Sequence, residues 1–173
     1  MQLFFRGYPT IRTERLILRQ LTFADIADLY DLYNAKETQE FQTQYYYSRE
    51  SLLQYILSQD QSFSNHEKIM WAIERKSDKT FIGVRVIYND GNDEYEIQGD
   101  TRKIFWRKGY TKEAYKGILK FIKEVYGGQK ALVYSKIRVH NENAIALINS
   151  LDFKFQKILS ENGVHMLKYI KEI

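Results

Sequence analysis

The chain has no cysteine among its 173 residues, which excludes disulfide bonds and thiolate metal sites. It has only three histidines, His66, His140 and His165, and their spacing matches no metal-ligand pattern. No apolar run approaches the roughly 18 residues that a membrane-spanning helix requires, and residues 1–6 lack the character of a signal peptide. We therefore expect a cytosolic protein without a metal site or a membrane segment.

What the chain does have is the composition of a folded globular protein, with 44% hydrophobic and 28% charged residues. A length of 173 residues suits one domain with its own core, so we expect a single domain over residues 1–173. The net charge of +4 fits an anionic cofactor, an acidic substrate and weak affinity for nucleic acid equally well. A monomer and a homodimer are both compatible with these numbers.

Hydrophobic periodicity predicts strands and helices in alternation along the whole chain. Ile69, Trp71 and Ile73 show the period of two that is typical of a strand, whereas Ile26 and Tyr30 belong to a helical stripe. The predicted strands cover residues 12–21, 69–73, 81–88, 94–102, 130–139, 153–159 and 164–171. The predicted helices cover residues 22–35, 48–57, 109–126 and 141–151.

Capping and turn residues support these boundaries. Thr22 with Asp25 three residues later is a helix N-terminus signal, and Ser48 is the N-cap of the second helix. Gly127-Gly128 ends the third helix, and Asn162-Gly163 is the strongest hairpin turn in the chain.

The resulting order is β-α-α-β-β-β-α-β-α-β-β. A single mixed, mostly antiparallel sheet flanked by helices accommodates this order, which places the protein in the mixed α/β class. An antiparallel meander leads into a strand–helix–strand unit whose two strands are parallel. Ligands of such sheets bind at the carboxyl ends of strands where the topology switches, so we expect the site near residue 109.

The segment from Trp106 to Ala114 lies at that switch, where a strand pattern stops and an amphipathic helix begins. Its glycine, Gly109, lets the backbone approach a ligand closely. Because the first N–H groups of a helix have no partner within the helix, we predict that those of residues 107–111 bind a phosphate. Lys108 and Lys112 are available to neutralise it. A tight turn followed by a solvated lysine face is the alternative interpretation.

Three motifs, together with this order of elements, resemble the GNAT acetyltransferase superfamily. The branch they resemble most is that of the ribosomal-protein N-terminal acetyltransferases (RimJ/RimL-like). Thr13-Glu14-Arg15-Leu16-Ile17-Leu18-Arg19 is similar to the opening strand motif of that branch. Trp106 to Ala114 is similar to the acetyl-CoA motif, which runs arginine or glutamine, two residues, glycine, one residue, and glycine or alanine. Asn141-Glu142-Asn143-Ala144 through Leu151-Asp152-Phe153 is similar to the asparagine, serine and Leu-Gly-Phe pattern of the branch.

The chain departs from the family pattern in five places, two of which are Ala144 in place of serine and Asp152 in place of glycine. Trp106 stands where arginine or glutamine is usual, and Thr111 stands where glycine or alanine is usual. The run Gln98-Gly99-Asp100 replaces an apolar strand segment that lines the cleft of the family. A glycine within a strand predicts a bulge or a close backbone approach at Gly99.

The resemblance implies that an acetyl group is transferred from acetyl-CoA to an amine. The segment from Trp106 to Ala114, which we call the cradle, follows the strand that contains Glu96. By this place in the chain, Glu96 is similar to the general base of some relatives, with Glu94 and Asp100 as alternative candidates. A solvent-facing strand carboxylate is the alternative for Glu96. The tyrosine that serves as the acid in many members corresponds to Ile148, which cannot do so, and we assign no acid. Asn141 is similar to the asparagine that contacts the pantetheine arm, and it is also a good helix N-cap.

The complete set of predicted cofactor-binding residues is Trp106, Arg107, Lys108, Gly109, Tyr110, Thr111, Lys112 and Asn141. By family analogy, the first two helices and Tyr45–Tyr47 form the acceptor side, although these tyrosines would also suit loop packing. Acceptors of two kinds fit, a peptide N-terminus and a small-molecule amine. A catalytically weak acetyl-CoA-binding or regulatory module is an alternative. A nucleic-acid binder is disfavoured because the basic residues are spread out and no such motif is present.

Overall fold

Eight strands form one open sheet in the order β1-β2-β3-β4-β5-β6-β8-β7 in the computed structural model, which describes residues 7–41, 48–126, 130–161 and 163–173. The strands are β1 (Ile11–Arg12), β2 (Leu16–Gln20), β3 (Lys68–Arg75), β4 (Phe81–Gly91), β5 (Glu94–Gln98), β6 (Leu132–Arg138), β7 (Lys154–Glu161) and β8 (Val164–Glu172). Every neighbouring pair is antiparallel except β5 and β6. The predicted mixed, mostly antiparallel sheet is confirmed.

Within the described segments, five helices flank this sheet. They are α1 (Ile26–Asn34), α2 (Lys36–Gln39), α3 (Arg49–Ser64), α4 (Tyr110–Tyr126) and α5 (Glu142–Asn149), and short 3-10 turns lie at Phe23–Asp25 and Lys103–Phe105. None of the helices in the described segments is long and apolar enough to cross a membrane. The cytosolic location stays a prediction.

Successive side chains of β3 point to opposite faces of the sheet and belong to two separate core clusters. Ile69, Trp71 and Ile73 belong to the cluster that α4 and α5 cover. Met70 and Ala72 belong to the cluster that α1 and α3 cover. Because β3 is buried on both faces, it forms the centre of the domain, and the helices of the two faces never share a core.

The predicted helix N-termini are formed as expected. The Asp25 carboxylate accepts a hydrogen bond from the Thr22 N–H at 2.8 Å and also binds the Arg19 guanidinium at 2.8 Å. Ser48 Oγ accepts from the Ser51 N–H at 3.0 Å at the start of α3.

Four predicted boundaries were wrong. Residues 12–21 form a hairpin of β1 and β2 instead of one strand, because a tight turn at Thr13–Arg15 is fastened to α4. The strand predicted for 94–102 ends at Gln98, since Gly99 leaves the ladder. The strand predicted for 81–88 continues to Gly91, and the helix predicted for 48–57 continues to Ser64. Tyr45–Tyr47, Gly127-Gly128 and Asn162 lie outside the described residues.

Candidate active site

The parallel strands β5 and β6 pair only at their amino-terminal ends. Their ladder runs from Glu94 opposite Leu132 to Glu96 opposite Tyr134 and stops there. Both strands continue, β5 to Gln98 and β6 to Arg138. Since they continue unpaired, they diverge and open a gap in the middle of the sheet.

A cleft of about 450 Å³ occupies this gap and reaches both faces of the sheet. Tyr95 and Ile97 point into the core below α4, so the alternating Glu96 points to the face of α1 and α3. Residues that line the cleft on that face include Tyr33, Tyr55, Tyr88, Asp90, Glu96 and Lys136. Those on the opposite face include Tyr115, Ser135, Ile137, Asn141, Leu147 and Ile148. Two ligands can therefore meet from opposite sides at the point where β5 and β6 separate.

Glu96 lies in the wall of this cleft with only 13% of its side chain exposed. Its Oε2 atom is 3.3 Å from Lys136 Nζ and 3.3 Å from the Tyr134 hydroxyl oxygen. Burial raises the pKa of Glu96 above its ordinary value, and the nearby Asp90 charge adds to the rise, while Lys136 and Tyr134 oppose it. A carboxylate with a raised pKa in a cleft has the properties of a general base.

The two rivals of Glu96 occupy different positions. Asp100 lines the same cleft, and its carbonyl oxygen accepts from the Val84 N–H at 2.9 Å, so its backbone is fixed to β4. Glu94 is not among the residues that line the cleft; it lies at the paired end of β5, 4.0 Å from Lys168 Nζ.

The cradle segment forms a concave loop at the N-terminus of α4. Arg107 and Gly109 both have left-handed backbone conformations, with φ of 58° and 79°. No group among the described residues accepts a hydrogen bond from the backbone N–H groups of residues 107–112. Successive unpaired N–H groups at a helix N-terminus form a site for an anion.

A long-range clamp holds this loop in place. The Arg15 guanidinium donates to the Lys108 carbonyl at 3.0 Å, pairs with Glu113 at 2.7 Å and lies over the Tyr110 ring at 4.5 Å. Glu113 also accepts from the Arg15 N–H at 2.7 Å and from the Thr13 hydroxyl at 2.5 Å. The motif at residues 13–19 thus contributes to the cradle, a link that its position in the sequence does not reveal.

The conformation of Gly109 agrees with one of two expected reasons for a glycine here. We expected an added Cβ either to project into the cradle or to force a strained φ, and its nearest contact within the protein would be Arg15 Nη2 at 3.3 Å. The tip of an arginine side chain can move aside. The constraint is the positive φ of Gly109, which other residues adopt only with strain.

The side chains of Trp106, Lys108 and Lys112 lie around the loop and do not cover it. The Trp106 indole Nε1–H donates to the Thr101 carbonyl at 2.7 Å, which fixes its ring. Lys108 Nζ lies 5.7 Å from the centre of the Phe105 ring. Lys112 is half-buried in the first turn of α4.

A buried arginine, Arg85, is a feature that we did not predict. Its side chain is almost fully enclosed, and it donates to the Asp100 carbonyl at 2.9 Å and to Thr101 Oγ1 at 2.7 Å. Thr101 Oγ1 lies 3.0 Å from Thr111 Oγ1, so the unusual threonine of the cradle joins this network. Burial lowers the pKa of Arg85. A charged residue within the apolar run 81–87 was the signal that could have identified it.

Asn141 was predicted both as a contact of the pantetheine arm and as a helix N-cap. Its side chain accepts from the Ala144 N–H at 3.1 Å as the N-cap of α5, and the residue lines the cleft. Ile148 is buried in the same wall, so an apolar group stands where many family members have a tyrosine. Across the described segments, no group of three or more histidine, cysteine or acidic residues is placed to hold a metal ion.

A comparison with protein families identifies the class of protein to which this fold and cleft belong. Residues 15–154 match the family model for the acetyltransferase (GNAT) domain, and the chain belongs to this family. It is thus an acetyl-CoA-dependent acetyltransferase, as its motifs predicted. A comparison with curated proteins gave no significant match.

Solved structures with the same fold include ribosomal-protein acetyltransferases. RimL, a ribosomal L7/L12 α-N-protein acetyltransferase in complex with coenzyme A, has a TM-score of 0.83 at 16% identity, over 95% of this chain and 98% of that one. Mycobacterium smegmatis RimJ in complex with a CoA disulfide has a TM-score of 0.81 at 14% identity, over 96% and 88%. Ribosomal-protein-S5-alanine acetyltransferase of Vibrio fischeri has a TM-score of 0.80 at 11% identity, over 94% and 96%. At these identities the likeness establishes the fold.

Proposed function

We propose that the protein is an N-acetyltransferase that transfers the acetyl group of acetyl-CoA to a primary amine, and that residues 1–173 form one domain with this activity. The observation that carries the proposal is the cleft through the sheet, with Glu96 on one face and the N–H cradle beside the other. The neighbouring structures that are ribosomal-protein acetyltransferases favour a peptide N-terminus as acceptor. A small-molecule amine fits the same chemistry.

The cradle would hold the pyrophosphate of acetyl-CoA. The N–H groups of residues 107–112 are unused among the described residues, so they suit an anionic group of this kind. The charges of Lys108 and Lys112 would add attraction. From the cradle, the pantetheine arm would enter the gap between β5 and β6 beside Asn141, which brings the thioester to the point where the strands separate.

The amine would approach from the face of α1 and α3. An amine is mostly protonated at neutral pH, so it must lose a proton before it can attack. Glu96 would accept this proton, directly or through a water molecule. The nitrogen then forms a bond to the acetyl carbon, the carbon–sulfur bond breaks, and the thiolate leaves and takes up a proton. Asp100 is the alternative base because it lines the same cleft.

Two measurements test the proposal. Calorimetry should show that acetyl-CoA binds, and that a pantetheine thioester without the pyrophosphate binds much more weakly. A thiol-release assay with a panel of N-terminal peptides and small amines should then detect turnover. Binding without turnover of any amine would indicate a binding or regulatory module. No binding at millimolar acetyl-CoA would refute the proposed function.

A further inference from the structure

The Tyr134 hydroxyl lies between two carboxylates that come from different strands. It hydrogen-bonds to Asp90 Oδ2, near the end of β4, and it lies 3.3 Å from Glu96 Oε2 on β5. Asp90 is the closer of the two acceptors. Asp90 is exposed at the rim of the cleft, whereas Tyr134 is buried. The three residues thus connect the candidate base to the surface.

A phenol has only one hydrogen to donate. If Tyr134 donates it to Asp90, Glu96 faces the oxygen lone pairs of Tyr134 and loses a hydrogen bond that would stabilise its charged form. If Tyr134 turned to Glu96, the bond would stabilise the Glu96 carboxylate and make it a weaker base. The two carboxylates therefore compete for one hydrogen.

We infer that Asp90 draws the Tyr134 hydroxyl hydrogen away from Glu96 and so keeps Glu96 basic enough to accept the proton of the acceptor amine. Asp90 and Tyr134 are then positioning residues, because they act through Glu96. This inference rests on the proposed function, in which Glu96 is the base. When Glu96 receives the amine proton, the charge of the Glu96 carboxylate is neutralised and the Tyr134–Asp90 bond is unchanged.

The other charged residues that line the cleft with Glu96 and Asp90 are Asp100, Lys136 and Arg138. Lys136, on β6, is 3.3 Å from Glu96, and Arg138 on the same strand lines the cleft. Lys168, on β8, lies 4.0 Å from the centre of the Tyr134 ring and 4.0 Å from Glu94. From α1 and α3, the described residues that line the cleft are Tyr33 and Tyr55, which are uncharged phenols.

The pKa directions agree with this geometry. Burial is the largest cause of the raised pKa of Glu96, and the Asp90 charge raises it further, whereas a hydrogen bond donated by Tyr134 would lower it. Burial and the bond to Asp90 raise the pKa of Tyr134, so the phenol keeps its hydrogen at neutral pH. Turning the Tyr134 hydroxyl from Asp90 to Glu96 would therefore lower the pKa of Glu96.

The test compares Asp90→Asn with Tyr134→Phe. An amide is a weaker acceptor than a carboxylate, so in Asp90→Asn the hydroxyl turns to Glu96 and the pKa of Glu96 falls. Tyr134→Phe alone should not raise the pKa of Glu96, because the hydrogen of Tyr134 is already on Asp90 in the parent. In the Tyr134→Phe background, Asp90→Asn should lower the pKa of Glu96 less than in the parent, because only the Asp90 charge is lost. NMR titration of the labelled Glu96 carboxyl in the protein without ligands should show this difference between the two backgrounds, about one pH unit for a hydrogen bond to a charged group. The acid limb of kcat/KM should move to lower pH in Asp90→Asn.

Two variants serve as controls for loss of a carboxylate or a hydroxyl. Asp31→Asn removes an exposed charge from α1, and Tyr169→Phe removes a hydroxyl in the core, outside the residues that line the cleft. Neither should move the titration of Glu96. An equal shift from Asp90→Asn in both backgrounds, a rise of about one pH unit in Tyr134→Phe, or shifts no larger than in the controls would overturn the inference. A shift that depends on Tyr134 in a protein that acetylates no amine would support the competition for the hydrogen and refute the proposed function.

Discussion

Replacing Gly109 by valine separates the backbone role of the cradle from the role of its side chains. Gly109 has a φ of 79°, in the left-handed region, and an added Cβ would meet only the mobile tip of Arg15. The perturbation is therefore one of backbone conformation. If the N–H groups on either side of Gly109 bind the pyrophosphate, the variant must either strain the loop or turn those groups away.

The size of the effect follows from the cost of the left-handed conformation. An ordinary residue pays roughly 1–2 kcal/mol there, and a β-branched one is at the upper end. If the free loop relaxes to avoid this strain, it must return to the strained conformation when the ligand binds, and the cost then lowers the affinity. Since 1.4 kcal/mol is a factor of ten in an equilibrium constant, we expect the Kd for acetyl-CoA to rise about tenfold or more.

Gly163 provides the matched control. It has a φ of 77°, and nothing lies within 4 Å of the position where its Cβ would be. It precedes β8, at the hairpin with β7, away from the cleft and the cradle. Gly163→Val should lose about the same free energy of unfolding as Gly109→Val in urea, because the backbone strain is the same. Its Kd for acetyl-CoA, measured by calorimetry, should equal that of the parent.

Two results would refute this reasoning. If Gly109→Val binds acetyl-CoA as tightly as the parent and loses stability as Gly163→Val does, Gly109 is a turn residue only. If both variants lose affinity equally, the loss reflects global stability and not the cradle.

Three further changes have defined outcomes. Glu96→Gln cannot accept a proton, so kcat should fall roughly 10²–10⁴-fold in the thiol-release assay with little change in the Kd for acetyl-CoA. An unchanged kcat in Glu96→Gln with a loss of kcat in Asp100→Asn would identify Asp100 as the base. Gly99→Ala should destabilise the protein in urea far more than Gly91→Ala, because its Cβ would lie 2.2 Å from the Val84 carbonyl whereas Gly91 has open space; equal losses would contradict this. Burial alone would raise the pKa of Asp25, but the ion pair with Arg19 and the hydrogen bond from the Thr22 N–H hold that pKa below its ordinary value. Its stabilisation is thus present at neutral pH and is lost as the pH falls through the folded-state pKa, so Asp25→Asn should be less stable at pH 7 and approach the parent below about pH 4.

The sequence predicted those features that local patterns encode. Period-two alternation identified β3, helical spacing identified α1, α3 and α4, and the N-caps Thr22 and Ser48 identified where helices begin. The glycine inside a strand at Gly99 correctly predicted a close backbone approach, to the Val84 carbonyl.

Features that depend on contacts distant in sequence were missed. The turn between β1 and β2 exists because Glu113 binds Arg15, and nothing in residues 12–21 indicates that partner. The environment of Glu96 was missed for the same reason, since Asp90 and Tyr134 lie on two other strands. Sequence patterns identify which residues can carry chemistry, whereas the register of the sheet decides which of them meet.

The clamp between Arg15 and Glu113 also has a consequence for the order of folding. The two residues are 98 positions apart, so the loop acquires its shape through one of the longest-range contacts in the chain. Closing such a contact is slow, because the entropy of the intervening chain is lost before the contact contributes. A chain still being synthesised could form the β3–β4 hairpin well before it reached residue 113. The ability to bind a phosphate at this loop would therefore be a late property of the folding protein, acquired when the turn between β1 and β2 meets α4.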